Sequence, residues 1–310
     1  LKASLRLDDL PALIPALEGW STEGQLKAGL ALRGGLKKLS ALDVTGQVTG
    51  QDIILAGPDM PNRVSLPTVA ILLEGADIRS LEARIKAGQT DLNLQASISG
   101  WTSLLDDKAG PHPVWQATLS GQSFDIFDFV AADSAGKEQD ELSSRTDTVR
   151  LLPLALSRGS GTAHLDRLVL SRFLELKDAS LAFSVRDSLI ELEKLEAGMH
   201  GGRVEGAAKV LLPEGREPQF EIDLSAAGLG AGQAITPLAS FGRHLSGLLD
   251  ARIHLSGQGL ETGSLLKSLS GAGEYSFRDG TVSGWPFLSN LASFSGLSEM
   301  DTLSYQQWGG

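Results

Sequence analysis

The chain has 310 residues, of which 42% are hydrophobic, 21% charged and only 5% aromatic, enough apolar material for a core and too much for a disordered segment. Its 36 glycines stand beside 12 prolines without a Gly-X-Y period, which excludes collagen and points to many turns. A net charge of −11 argues against a nucleic-acid binder, which needs a basic patch to replace counterions on phosphate.

Taken in chain order, Asp8 or Asp9 can cap a first short helix over Leu10 to Leu17, with Pro11 in its opening turn. Alternation with a period of two then takes over, the mark of a strand with one wet and one oily side. Leu26, Ala28, Leu30 and Leu32 alternate beside Lys27 and Arg33. Leu92, Leu94, Ala96 and Ile98 alternate with Asp91, Asn93, Gln95, Ser97 and Ser99. Ala131 to Thr148 is polar and lacks the period, so it reads as a surface linker between a β segment over 1–130 and a second over 149–310. In the latter, Ala179, Leu181, Phe183 and Val185 form one strand face, and Phe220, Ile222 and Leu224 another. A second helix is expected over Gln233 to His244, and a strand carrying Leu249, Ala251, Ile253 and Leu255 follows it. Leu265, Leu266 and Leu269 suggest a third helical turn. Gly34-Gly35, Gly201-Gly202 and Asp279-Gly280 are the expected turn dipeptides. With about half the residues in strands of about seven, some twenty strands are expected.

The pattern repeats. Gly24, Leu26, Ala28, Leu30, Leu32 and Gly34 match Gly247, Leu249, Ala251, Ile253, Leu255 and Gly257 at constant offset. Each copy has a strand and a proline-bearing helix before it, and a turn and glycine-rich strand after it. Repeats of this kind build elongated β assemblies that grow by adding units.

Reactive chemistry is poorly supplied. With no cysteine there is neither a disulfide framework nor a thiolate metal site. His112, His164, His200, His244 and His254 lack ligand spacing, and Asp8-Asp9 and Asp106-Asp107 read as caps or turns rather than facing acids. No catalytic residue, metal or cofactor is expected. The longest charge-free stretches, Ser225 to Gly242 and Gly280 to Ser298, contain Gly, Ser and Pro and do not read as membrane spans. Both ends read as cut from a longer protein.

Three stretches carry a family resemblance: Leu189 to Val210 with Gly201, Gly202 and Gly206; Leu248 to Leu260; and Leu269 to Trp285 with Gly271, Gly273, Tyr275, Phe277, Asp279 and Gly280. In this order they resemble the carboxy-terminal region of the AsmA family of bacterial envelope proteins, over about Ala117 to Trp308. The resemblance implies a mainly β fold: an elongated, strongly curved antiparallel sheet forming a U-shaped apolar groove, with a few short helices. It also implies a periplasmic, non-enzymatic protein, tethered to the inner membrane by a segment outside this chain, that carries phospholipid between the membranes and meets envelope membrane proteins. The residues expected to touch acyl chains are Leu92, Leu94, Ala96, Ile98, Phe220, Ile222, Leu224, Ala251, Ile253 and Leu255. Asp91, Gln95, Arg252 and His254 should face water. The alternative role is an assembly scaffold for outer-membrane proteins, acting through sheet edges.

Overall fold

A computed structural model describes residues 2–9, 19–34, 43–57, 60–105, 112–129, 158–171, 173–213, 216–237, 239–259, 267–284 and 302–310. The fold is mainly β. Among the described residues, fifteen strands hydrogen-bond in chain order, and their sheet is not closed into a barrel: its two end strands each have one neighbour. Strands of 10 to 14 residues dominate, with 5 and 8 in the first and last. Among the described residues every strand but the first is longer than the roughly seven residues expected. The expected linker over 131–148 and the helix over 10–17 lie outside the described residues.

The chain divides into two compact units, one of Leu1–Glu175 and Ala179–Glu191, the other of Leu176–Asp178 and Leu192–Gly310. The first is built on β1 (Lys2–Arg6), β2 (Ser21–Arg33), β3 (Asp43–Ala56), β4 (Val64–Gly75), β5 (Asp77–Ala87), β6 (Thr90–Ser99), β7 (Val114–Asp125), β8 (Arg158–Ser171) and β9 (Leu174–Arg186). Successive strands from β1 to β7 pair antiparallel, as expected. The pairing of β7 with β8 is parallel, Ala117 opposite Gly161 and Leu119 opposite Ala163. The sheet is therefore mixed rather than wholly antiparallel.

Between Glu23 and Gln25 the β2–β3 register shifts. Gly24 sits there at φ +114°, and a Cβ on it would lie 2.7 Å from the carbonyl oxygen of Asp52. Its partner in the sequence repeat, Gly247, has φ +101° and would bring a Cβ within 2.6 Å of the Arg278 carbonyl. Both copies of the repeat thus use glycine where backbone geometry and close approach exclude a side chain.

A buried carboxylate ties down one end of the first unit. Asp125 caps a short 3-10 turn, Ile126–Asp128, by accepting from the Phe127 N–H. Asp128, 6% exposed, accepts from Asn62 Nδ2 and from the backbone N–H groups of Gln89 and Thr90, each at 2.9 Å, and from the Thr90 hydroxyl at 2.8 Å. The β5–β6 turn, the Asn62 loop and the end of β7 are joined through this one side chain.

The second unit holds most of β10 (Leu189–Met199), then β11 (Gly202–Leu211), β12 (Gln219–Gly230), β13 (Leu248–Gln258), β14 (Ser270–Ser283) and β15 (Thr302–Gly309). The helix expected over Gln233 to His244 is instead two pieces, α1 (Ala231–Ile235) and a 3-10 turn, Ser240–His244. Pro237, which has no N–H to donate, falls between them. Asp279-Gly280, expected to be a turn, lies within β14. Asp279 takes φ +51° there and kinks the strand at a break in its pairing with β13. One buried cluster of this unit comprises Val204, Leu229, Ala231, Leu245, Leu249 and Phe277, flanked by Ile235, Val282 and Tyr305. It lies where α1 and the following turn fold back over one end of the sheet.

Candidate functional site

Strict alternation puts every second side chain of the first unit on one face, and register aligns those side chains across strands. One row runs Leu5, Leu26, Gly50, Val69, Ala83, Leu94, Leu119, Ala163 from β1 to β8. The next runs Ala3, Ala28, Val48, Ile71, Leu81, Ala96, Ala117, Gly161. Neither row contains a polar or charged side chain. In mid-sheet, Val69, Ala83, Leu94 and Leu119 stay only half-buried, whereas a second layer packed on them would bury them fully. The face is apolar, and among the described residues no second layer buries these rows.

The second unit repeats the arrangement. Gly206, Leu224, Ile253 and Gly273 form one row, and Ala208, Ile222, Leu255 and Gly271 the next. Exposure changes along this face. Phe277 and Leu249 are 5% and 7% exposed beneath α1, while Ile253 and Tyr275 are 42% and 44% exposed. One end is plugged and the other open. Tyr275 and Trp308, the latter on the edge strand β15, form an aromatic cluster with Phe277 at the margin of the plug, the rings of Phe277 and Trp308 stacked with centroids 5.3 Å apart.

The opposite face carries the charge. Arg84 pairs with Asp91 in a two-pronged contact, Nε to Oδ1 at 2.9 Å and Nη2 to Oδ2 at 2.8 Å, and Lys86 adds a second cation. The Arg84 guanidinium holds the Asp91 carboxyl below the usual carboxylate range. Asp250 is held low chiefly by Arg278, then by the Gly228 N–H donating at 2.8 Å. His254 Nδ1 lies 2.8 Å from Asp223 Oδ1, directly opposite in the β12–β13 register, and this bond raises the imidazole above its ordinary value. Among the described residues, His254, Asp223 and Glu221 offer ligand atoms within 4.8 Å of one another. All three are exposed, and the hydrogen bond to Asp223 already occupies Nδ1. A shallow hollow of about 810 Å³ over β10 to β14 is framed by Lys194, Glu205, Asp223, Arg252 and Glu274 on this charged side.

The sequence-predicted site residues fall in two groups. Leu92, Leu94, Ala96 and Ile98 lie in β6 of the first unit. Phe220, Ile222 and Leu224 of β12, with Ala251, Ile253 and Leu255 of β13, share the apolar face of the second. Leu92 is buried at 5%, close against Gly121. Gln95, Arg252 and His254 are exposed, and Asp91 is half-buried beneath its cations. Sequence reasoning missed β4 altogether. Its run Val69-Ala-Ile-Leu-Leu is apolar at every position, because Leu72 sits on the charged face yet is oily, and this blurs the alternation.

Among the described residues, fold and face together define an open β-sheet protein with a half-buried apolar surface. Comparison with known families matches the AsmA family over residues 102–302, and the chain belongs to that family. Membership supports a role in envelope lipid transport or assembly. No curated protein and no solved structure matches the chain. Among the described residues, no helix is long and apolar enough to cross a membrane.

Proposed function

We propose that the chain is a non-catalytic, periplasmic carrier of phospholipid acyl chains, tethered to the inner membrane by a segment outside it. The observation that carries this reading is the uninterrupted apolar rows of the first unit, continued in kind in the second. Bringing an acyl chain of about sixteen carbons into water costs on the order of 10 kcal/mol at ~0.8 kcal/mol per methylene. A dry strip wide enough for such a chain removes most of that barrier, and no residue need react. The ligand is held by area rather than by its headgroup, consistent with rows that hold no cation or hydrogen-bond donor in their side chains. The charged opposite face keeps the sheet in water.

Solvent extraction of gently purified protein followed by lipid mass spectrometry tests this. Co-purified phospholipid is the expected result. A bound extended peptide with no lipid would favour a scaffold acting through the edges of β1 and β15, and an empty face that takes up no lipid from vesicles overturns the carrier reading.

A further inference from the structure

We propose that glycines in the apolar rows set the depth of the groove, and so what can lie in it; this rests on the carrier reading above. Glycine weakens a strand and needs a reason. At Gly24 and Gly247 the reason is backbone geometry, but Gly50 and Gly257 have no left-handed φ. Around those two, every close neighbour is a side chain. A Cβ on Gly50 would lie 2.6 Å from Ile53 Cδ1 and 3.0 Å from Leu26 Cδ2. A Cβ on Gly257 would lie 2.5 Å from Phe220 Cζ. At Gly206 the nearest atom is again a side chain, Leu224 Cδ2 at 2.6 Å, with the Asp223 carbonyl oxygen behind it at 3.0 Å.

Phe220 and Leu224 stand directly opposite Gly257 and Gly206 on the next strand, and Leu26 stands opposite Gly50, where Ile53 of the same strand comes closer still. Side chains on a sheet ordinarily stand off it. Here the missing side chain opens a slot, and the opposite residue lies down across the neighbouring strand. Gly50 is fully buried although it has nothing of its own to bury. The result is a floor of reclined aliphatic and aromatic groups, low and smooth along its length. Such a floor accepts an unbranched chain lying flat, and a single methyl at a glycine forces the reclined residue upright into its path.

The test uses the whole chain and vesicles containing a phospholipid with a linear conjugated-polyene acyl chain, fluorescent when shielded from water. Gly50→Ala and Gly257→Ala, one in each unit, should each lower probe uptake at least threefold while the circular dichroism spectrum stays unchanged. Adding Phe220→Val to Gly257→Ala, a side chain too short to reach across, should restore uptake. Gly29→Ala, on the charged face with nothing within 4 Å of the new Cβ, should load as the parent does. If the parent loads and both alanine variants load equally well, the depth proposal fails and the carrier reading stands. If both variants unfold, or Phe220→Val restores nothing, the glycines serve packing alone and the proposal fails. A parent that takes up no probe overturns both.

Discussion

Asp128 places one carboxylate oxygen, Oδ2, on both the backbone N–H and the hydroxyl of Thr90, at 2.9 and 2.8 Å. Those two bonds, with the ones from Gln89 and Asn62, leave a buried cluster of donors that depends on a single acceptor. Truncating a buried acceptor strands its donors, at about 1–3 kcal/mol for each group left unsatisfied. Asp128→Ala should therefore destabilise the first unit by about 2–4 kcal/mol, read from urea unfolding. Asp128→Asn, which keeps one acceptor oxygen, should fall between.

The open and plugged ends of the second unit should respond oppositely to truncation. Phe277→Ala removes a ring from the core and should cost about 3–5 kcal/mol, whereas Ile253→Ala should cost less than about 1 kcal/mol. Ile253→Asp should leave a folded, soluble protein that no longer co-purifies with lipid. Global unfolding of Ile253→Asp, seen by circular dichroism, would mean the position is core instead.

The His254–Asp223 bond makes stability depend on pH in a defined direction. Because Asp223 raises the folded-state value, the imidazolium form contributes stability below the ordinary histidine value of about 6.5. That contribution is lost as pH rises through the raised folded value. An NMR titration of His254 should show a midpoint above the ordinary one, and Asp223→Asn should bring it back down.

Asp250 runs the other way. Arg278 and the Gly228 N–H lower its folded-state value, so its contribution is present above about pH 3.9 and lost as pH falls through the lowered value. In a carboxyl NMR titration, Arg278→Ala should raise the Asp250 midpoint only part of the way, because Gly228 still donates.

What was legible in the sequence was what neighbours along the chain encode. The faces of β6, β12 and β13 follow from alternation alone, and the glycines of the repeat, Gly24 and Gly247, proved to share a conformation as well as a position. What was not legible depends on residues distant in the chain. Asp128 meets partners at 62, 89 and 90, and no local pattern marks an aspartate as their common acceptor. The parallel β7–β8 pair was hidden because alternation fixes a strand's face and says nothing of its direction. Pro237, noted only as part of a helix, divides that helix because its ring occupies the position of a needed donor.

Because each strand hydrogen-bonds only with those before and after it in the chain, nothing in the sheet waits for a distant segment to be made. The protein can assemble progressively as its chain is delivered, each arriving strand docking on the exposed margin of the last. A lineage could lengthen or shorten it by whole hairpins without breaking any pairing elsewhere.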